Sequence, residues 1–325
     1  MNKILRFAVS TALLSYLAWK TDWPHVAQAF GRLRWEYWLL AALVLVFTQL
    51  LSARRWQLLA QAVGIAKDFT QITGYYFIGM FFNLVLPTSV GGDVVRAYYL
   101  TPRQGPRLPA FVSVLFDRVN GLIVLLALAS IAVVAQMDKL PWWIPAFIWS
   151  AIGGMALGMS LLPWLARFGR HGHLRVQQLR AMIQLLRQPK LLIQTTLLSL
   201  LIQVANIFLV WLVGLALQLE VPFLYYWVLV PMVSVLTLLP SVAGTGVREM
   251  GTVLLLAPLG IDETTAVTLA FLWFAVQVAV SLLGGLAYLS GRFSRIPNLS
   301  EDAADDRSVD HHSDQGRTGQ YRQAA

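Results

Sequence analysis

Long apolar segments recur along the chain, and they constrain its fold more than any other feature. A helix needs about 20 mostly apolar residues to cross the hydrocarbon core of a membrane. Six segments come close to or exceed this length: residues 4–19, 37–53, 111–135, 142–162, 191–217 and 264–290. Hydrophobic residues make up 57% of the chain and charged residues only 13%, whereas about 25% is usual in soluble domains. We therefore predict an all-α fold, a polytopic bundle of membrane helices.

Two further apolar segments are too short to cross a membrane alone. Residues 72–86 end at Pro87, and residues 225–239 end at Pro240. Glycines and charged residues follow each proline. Broken helices are tolerated at membrane depth where protein or a water-filled cavity covers the irregular backbone. We predict that both segments are re-entrant or broken helices.

The residues around these two prolines resemble each other. Residues 83–96 read Asn-Leu-Val-Leu-Pro-Thr-Ser-Val-Gly-Gly-Asp-Val-Val-Arg, and residues 239–249 read Leu-Pro-Ser-Val-Ala-Gly-Thr-Gly-Val-Arg-Glu. Each copy has a Ser-Val pair, two glycines and an arginine eight or nine residues after the proline. If six segments cross, the two copies enter from opposite sides. This predicts an inverted repeat with a site near the midplane, as in many transporters.

Three acidic residues fall inside apolar segments or next to them. Ten acids precede residue 300, and seven of these lie at segment ends or connections. The exceptions are Asp93, Asp117 and Glu249. Each has an arginine nearby in sequence: Arg96 lies three residues after Asp93, Arg118 follows Asp117, and Arg248 precedes Glu249. A charge at membrane depth costs roughly 3 kcal/mol or more unless it is paired or hydrated. We predict that these residues pair between helices around a polar cavity.

Glycines next to these charges suit the binding of an anion. Glycine lets backbone amides turn toward a ligand, and the first turn of a helix presents unpaired N–H groups. Arginine adds a forked donor that matches phosphate oxygens. We predict that the cavity binds a lipid head group. The candidate residues are Asn83, Ser89, Gly91, Gly92, Asp93, Arg96, Asp117, Arg118, Gly244, Gly246, Arg248 and Glu249.

Plainer structural roles stay open for several of these side chains. Asp93 is equally consistent with capping the helix that begins there, with Arg96 extending to the membrane interface. Gln203 and Asn206 lie three residues apart on one helical face, where interhelical hydrogen bonding is the simpler interpretation than ligand contact.

The distribution of charge predicts the orientation. Residues 167–190 carry six basic residues and no acid, which is typical of a cytoplasmic connection. The segment 54–56, Arg-Arg-Trp, and the aromatic segment 225–227 are predicted to anchor at membrane interfaces. Residues 300–325 contain six acids and three arginines. When this tail is left out, the net charge of +9 for the whole chain becomes +12 for residues 1–299. We predict a membrane domain over 1–295, a disordered acidic tail over 296–325, and both termini on the cytoplasmic side of a cell inner membrane.

Several functional classes lack support in the sequence. Cysteine is absent, and the five histidines fall in connections or in the tail, so we predict neither a metal site nor a cofactor. No glycine-rich nucleotide loop ending in Lys-Ser or Lys-Thr is present. The basic character of the body indicates membrane topology and contact with anionic lipids, not nucleic-acid binding.

Three ordered motifs together resemble a known family. They are Asn-Leu-x-Leu-Pro-x-Ser-x-Gly-Gly-Asp-x-x-Arg over 83–96, Ser-Val-x-x-Asp-Arg-x-x-Gly over 113–121, and Leu-Pro followed by Gly-x-Gly-x-Arg-Glu over 239–249. This set is similar to the lysylphosphatidylglycerol synthase transmembrane-region family, also called flippase-like membrane proteins. Ala243 departs from the pattern, at a position where a further glycine is expected.

The resemblance implies a helical bundle that moves or handles a lipid with a phosphate head group. Some relatives are linked to polyprenyl-phosphate sugars and others to hopanoid or aminoacyl lipids. The polar tail of about 35 residues is far shorter than a catalytic domain, so no aminoacyltransferase activity is expected. The expected partners are anionic lipids, together with lipid-synthesis or glycosyltransferase enzymes.

The sequence is also consistent with two functions other than a lipid translocase. One is a membrane-embedded enzyme that acts on a lipid phosphate or glycolipid, with Asp93 or Glu249 as general base and with a bound metal ion. The other is a non-transporting partner in a lipid-synthesis complex.

Overall fold

The computed structural model describes residues 31, 33–85, 91–101, 107–135, 137, 140–168, 187–237, 246–290 and 293. All regular secondary structure in these ranges is helical, which confirms the predicted all-α class. Four of the described helices are long and apolar enough to cross a membrane. They are α1 Trp35–Ala62, α4 Arg107–Ala135, α6 Pro189–Ala216 and α9 Glu263–Leu289. The protein is thus a multi-pass integral membrane protein.

The remaining described helices are α5 and four shorter ones. Helix α5 spans Trp143–Phe168 and contains an apolar stretch over Trp143–Gly158. The others are α2 Phe69–Val85, α3 Gly91–Leu100, α7 Phe223–Leu236 and α8 Val247–Leu256, which runs into a 3₁₀ turn at Ala257–Leu259. At 1.5 Å per residue, none of these four reaches the ~30 Å of a hydrocarbon core. The first predicted span, residues 4–19, and the tail lie outside the described residues.

Helix α1 runs antiparallel to α4 and α6. At its start, the Arg34 N–H donates to the Ala216 carbonyl oxygen at the end of α6 (3.0 Å). Near its other end, Leu59 shares a buried cluster with Val112 and Leu191, which lie early in α4 and α6. Helix α5 contacts α4, where Trp149 Nε1 donates to Ser130 Oγ at 3.3 Å.

Helices α2 and α3 form an antiparallel hairpin. The rings of Tyr75 and Tyr99 lie 5.2 Å apart near its open end. Toward its tip, the Gly92 N–H donates to Asn83 Oδ1 (2.8 Å). The backbones approach so closely that a Cβ added to Gly92 would strike the Gly79 carbonyl oxygen. Glycine is required here because any side chain would separate the two helices.

Helices α7 and α8 form a second antiparallel hairpin. The Tyr225 hydroxyl donates to the Leu255 carbonyl oxygen, and Gly251 packs against Leu236. Helix α8 begins after Gly246, whose φ of 81° is in the left-handed region that favours glycine. The hairpin tips, residues 86–90 and 238–245, are not among the described residues.

The open ends of the two hairpins lie at opposite ends of the bundle. Helix α2 follows α1 after a connection of six residues, 63–68, and Leu100 at the end of α3 shares a buried cluster with Ala60 and Ala110. Helix α7 instead follows the end of α6, beside the start of α1. Helix α9 leads away from the same end, where Trp38 Nε1 donates to the Leu272 carbonyl oxygen (3.3 Å).

Two predictions about interfacial residues were wrong. Tyr225 and Tyr226 are buried in the core rather than placed in an aromatic belt, because they pack where α7 contacts α6 and α8. Helix α1 continues past residue 53 to Ala62, so only Arg54 of the predicted anchor is exposed, while Arg55 and Trp56 are buried between helices. Exposed apolar side chains such as Leu43, Leu197 and Leu286 cover the outer surface instead.

Removing the Tyr225 hydroxyl should weaken the second hairpin. Tyr225→Phe keeps the ring but leaves the buried Leu255 carbonyl oxygen without this donor. We expect the free energy of unfolding to fall by about 1–2 kcal/mol, measured by thermal unfolding in detergent. Tyr37→Phe, at a partly exposed position, is the control. An unchanged unfolding temperature in Tyr225→Phe would contradict this role for the hydroxyl.

Candidate functional site

Five charged side chains alternate in sign through the centre of the bundle. Arg55 Nε donates to Asp117 Oδ1 at 2.7 Å, and Asp117 Oδ2 lies 3.5 Å from Arg96 NH1. Arg96 NH2 donates to Asp93 Oδ1 at 2.8 Å. Arg118 completes the row with Nε–Oδ2 and NH2–Oδ1 contacts to Asp93 of 2.8 and 2.9 Å. Helices α1, α3 and α4 are thereby joined, and the predicted pairing between the first two acid–arginine sets is confirmed.

The Arg55 end of this row is anchored in the protein. Arg55 NH1 donates to Ser199 Oγ on α6 at 2.7 Å, and Ser199 Oγ also contacts the Asn120 side-chain oxygen. Trp56, the next residue on α1, donates from Nε1 to Ser113 Oγ at 3.1 Å. Such polar contacts join membrane helices without exposing charge to lipid. Arg55 is therefore held as part of the scaffold.

Arg96 is the enclosed centre of the row. Its guanidinium carbon lies 5.1 Å from the Trp56 ring centroid and 4.6 Å from that of Tyr76. The residue is only 2% exposed. A cation placed over aromatic faces is stabilised where water is scarce. Arg96 therefore holds both aspartates in position and has little surface of its own to offer a ligand.

Arg118 differs because its side chain is 54% exposed, against 10% for the Asp93 side chain that it binds. It forms one wall of the central cavity. The Asp93 carboxylate occupies the Nε and NH2 positions of its fork. Arg118 is thus the accessible end of the charged row.

The second motif contributes an arginine to the same cavity. The Arg248 guanidinium carbon lies 4.7 Å from the Phe274 ring centroid and 5.8 Å from that of Trp273, both on α9. Its neighbour Glu249 accepts a hydrogen bond from the Gly246 N–H (2.6 Å). Glu249 therefore caps the first turn of α8, where a carboxylate also interacts favourably with the helix dipole.

The cavity has a volume of about 550 Å³ and lies where the two hairpins meet. Helices α1–α4 and α6–α9 all contribute residues to its walls. Thr237, which directly follows the last residue of α7, also lines the cavity. Within the described part of the chain, its charged lining consists of Arg55, Arg96, Arg118, Arg248 and Asp117. Its uncharged polar lining includes Gln49, Asn83, Gln203, Asn206 and Gln277. This size and this mixture of polar and apolar walls are usual for a small-molecule site.

The electrostatic balance of the cavity is positive. Among the described residues, four arginines and one aspartate line it. Counting Asp93 and Glu249, which lie directly behind the lining, gives four positive and three negative side chains. The cavity walls therefore favour an anionic occupant over a cation.

Most of the chain matches a known family. Residues 3–285 match the family described as the lysylphosphatidylglycerol synthase TM region. The chain belongs to this family. A UPF0104 membrane protein of Pyrococcus horikoshii is 24% identical over 330 aligned positions, which cover 90% of this chain and 98% of the relative. A UPF0104 membrane protein of Methanocaldococcus jannaschii is 30% identical over 86 positions, 26% of each chain.

In this member of the family, the predicted binding residues divide into three groups. Asn83, Arg96, Asp117, Arg118 and Arg248 line the cavity. Gly91, Gly92, Asp93, Gly246 and Glu249 lie behind that lining, in the first turns of α3 and α8 or just before them. Ser89 and Gly244 lie outside the described residues.

The structure gives Gly92 and Gln203 specific contacts. The Gly92 N–H is engaged by Asn83 Oδ1, so in this conformation it holds the hairpin together and does not point at the cavity. Gln203 Nε2 donates to the Gly121 carbonyl oxygen (3.0 Å), which confirms the predicted interhelical role. Gln203 and Asn206 also face the cavity.

Sequence reasoning missed Arg55, Ser199 and Asn120, which form the anchored end of the charged row. A signal for Arg55 was present in the spacing of α1. Its buried face runs through positions 41, 45, 48, 52, 55 and 59, at alternating steps of four and three. Arg55 falls on this face and Arg54 falls off it. Among the described residues, no group of three His, Cys, Asp or Glu side chains is placed to hold a metal ion.

Proposed function

We propose that the protein is a lipid translocase that carries a phosphate-bearing head group through its central cavity. The substrate is an anionic phospholipid or a polyprenyl-phosphate-linked lipid, and the hydrocarbon tail stays in the bilayer. One observation carries the proposal: a positively charged cavity inside the helical bundle is lined by Arg118, which binds Asp93 of the first hairpin motif, and by Arg248 of the second. A charge at this depth is costly and is typically retained for function.

The hairpins supply the basis for alternating access. Their open ends lie at opposite ends of the bundle, and both are joined to the cavity near their tips. We infer that they are the two halves of an inverted repeat, each exposing the head group to one side of the membrane in turn. Arginine forks match phosphate oxygens and would hold the head group during the exchange.

We infer a transport role in preference to catalysis from the state of the acids. A general base needs a carboxylate within hydrogen-bonding reach of its substrate and free to accept a proton. Both oxygens of Asp93 already accept from arginine. Glu249 is committed to the Gly246 N–H. Neither carboxylate is placed like a general base.

The proposed location is a cell inner membrane with both termini in the cytoplasm. Lys67 and Lys190 lie at the end of the bundle where α1 ends and α6 begins, and basic residues are retained on the cytoplasmic side. The first hairpin would then open toward the cytoplasm. Anionic lipids are the proposed partners, with lipid-synthesis or glycosyltransferase enzymes supplying or consuming them.

Loss of either of two arginines that line the cavity, Arg118 or Arg248, should abolish most of the transport. In liposomes containing the purified protein, movement of fluorescent phosphatidylglycerol and of a labelled polyprenyl phosphate should fall at least tenfold in Arg118→Gln and in Arg248→Gln. Losing a charge-assisted hydrogen bond accounts for such a loss. Arg54→Gln, an exposed arginine on α1, is the matched control and should retain wild-type rates.

The same liposomes separate the alternatives when their lipids are analysed by mass spectrometry. Movement with unchanged lipid masses supports a translocase. A changed mass would identify an enzyme. Absence of movement under either ion gradient, with intact protein, would overturn the translocase and favour a non-transporting partner.

A further inference from the structure

The Asp93 carboxylate is bound as a ligand anion would be. Two nitrogens of Arg118 donate to its two oxygens, at 2.8 and 2.9 Å, and Arg96 NH2 donates to Oδ1 at 2.8 Å. A paired fork of this kind is the geometry by which arginine binds carboxylate or phosphate. The protein thus fills its own anion site with an acidic side chain.

The exposure of the pair shows which partner an incoming ligand meets first. Arg118 is half exposed and lines the cavity, whereas Asp93 is largely buried behind it. An anion in the cavity therefore reaches the guanidinium of Arg118 while the carboxylate holds it from the other side. The two anions compete for the same donors.

The charges around Arg118 indicate what kind of anion can win this competition. Arg55, Arg96 and Arg118 face Asp93 and Asp117, so the row carries a net charge of +1. Withdrawal of Asp93 leaves three arginines against Asp117, a net charge of +2. Uncompensated buried charge is strongly destabilising. A dianion restores neutrality, and a monoanion restores only the original balance.

We propose that Asp93 is an internal competitor for the head-group site, and that the ligand displacing it from Arg118 is a lipid phosphate monoester. A phosphate monoester carries a charge of about −1.5 to −2 at pH 7 and three acceptor oxygens, whereas a phosphodiester carries a single charge. This inference rests on the proposed function, because it names the substrate class for the same cavity. Asp93 is in this sense a residue that determines specificity.

A released Asp93 has an alternative position in the fold. It is the third residue of α3, within the first helical turn, where unpaired N–H groups and the helix dipole favour a carboxylate. Displacement also breaks the ion pair between α3 and α4 that Asp93 forms with Arg118. Binding of the ligand would thereby loosen the first hairpin from α4.

Equilibrium binding tests this inference without requiring transport. The full chain in detergent is titrated with short-chain phosphatidic acid, a monoester, and with short-chain phosphatidylglycerol, a diester. The wild type is expected to bind the monoester at least tenfold more tightly. Asp93→Asn, which removes the competitor, should bind the monoester about tenfold more tightly than the wild type does, and Arg118→Gln at least tenfold more weakly.

Glu249→Gln separates competition from a general gain in positive charge. It removes one buried negative charge beside the cavity and leaves the Arg118 fork occupied. A comparable gain in affinity in Glu249→Gln and Asp93→Asn would overturn the competitor role. So would unchanged or weaker binding in Asp93→Asn, or a wild type that binds both lipids equally. A wild type that binds neither of these lipids nor a labelled polyprenyl phosphate would overturn the proposed function itself.

A measurement on the wild type alone covers the case in which Asp93→Asn does not fold. The second ionisation of a phosphate monoester lies near pH 6. Binding of phosphatidic acid should therefore strengthen several-fold between pH 5.5 and 7.5. Phosphatidylglycerol keeps a single charge over this range and reports any titration of the protein. Equal pH dependence for both lipids would contradict selection of a dianion.

Discussion

Asp117→Asn is expected to lower the free energy of unfolding by about 3–5 kcal/mol, because it removes one partner from buried ion pairs. Asp117 is 1% exposed and is shared by Arg55 and Arg96. Asparagine keeps the shape of the side chain but leaves three arginines against Asp93. The effect is measured as the temperature at which the protein loses its monodisperse peak in detergent.

A double variant and a surface variant make this result specific. Arg55→Gln with Asp117→Asn restores the net charge of the row to +1 and should recover part of the lost stability. Glu36→Gln breaks the exposed pair with Arg34 and should change stability by less than about 1 kcal/mol. Full stability in Asp117→Asn would show that the carboxylate is not needed to compensate the arginines.

Gly92→Ala is the second change with a large expected effect. A Cβ at this position would meet the Gly79 carbonyl oxygen and the Asn83 side chain, and a backbone atom cannot move aside by a rotamer change. We expect a loss of stability of about 3 kcal/mol, at the upper end of the range for overpacking. Near-UV circular dichroism during thermal unfolding would measure it, since Tyr75 and Tyr99 pack within this hairpin.

Gly153→Ala is the matched control, because nothing lies within 4 Å of a Cβ added to this helical residue. Alanine there should stabilise α5 by about 0.5–1 kcal/mol, since glycine is costly inside a helix. The two substitutions are chemically identical and have opposite expected signs. Equal effects at both positions would contradict the close approach of α2 and α3.

The sequence predicts the helical class and the two short segments because both follow from local properties. Hydropathy and length identify a span, and Pro87 and Pro240 mark where the short segments stop. The acids were equally visible, since Asp93, Asp117 and Glu249 are exceptional in apolar surroundings. What the sequence did not determine was their partners, because these depend on which helices are neighbours in space.

Arg55 shows why the rest of the site was missed. It follows Arg54 and precedes Trp56, a pattern that is common at the end of a membrane span. Local composition therefore favoured an interface, but the buried face of α1 extends through residue 59. Tyr225 and Tyr226 were misplaced for the same reason: an aromatic residue at the end of an apolar segment suits both an interface and a core. Contact between helices decides these cases.

The pairing of Arg55 with Asp117 also constrains how the protein is made. The two residues are 62 positions apart in sequence, so at about 5–20 residues per second the ribosome adds the aspartate roughly 3–12 s after the arginine. During that interval α1 carries an arginine without its partner, and an unpaired arginine within a membrane helix costs up to about 2.5–3.5 kcal/mol. Insertion of α1 is therefore expected to stay reversible until α4 arrives. Slowing or pausing translation between them would prolong the most vulnerable stage of biogenesis.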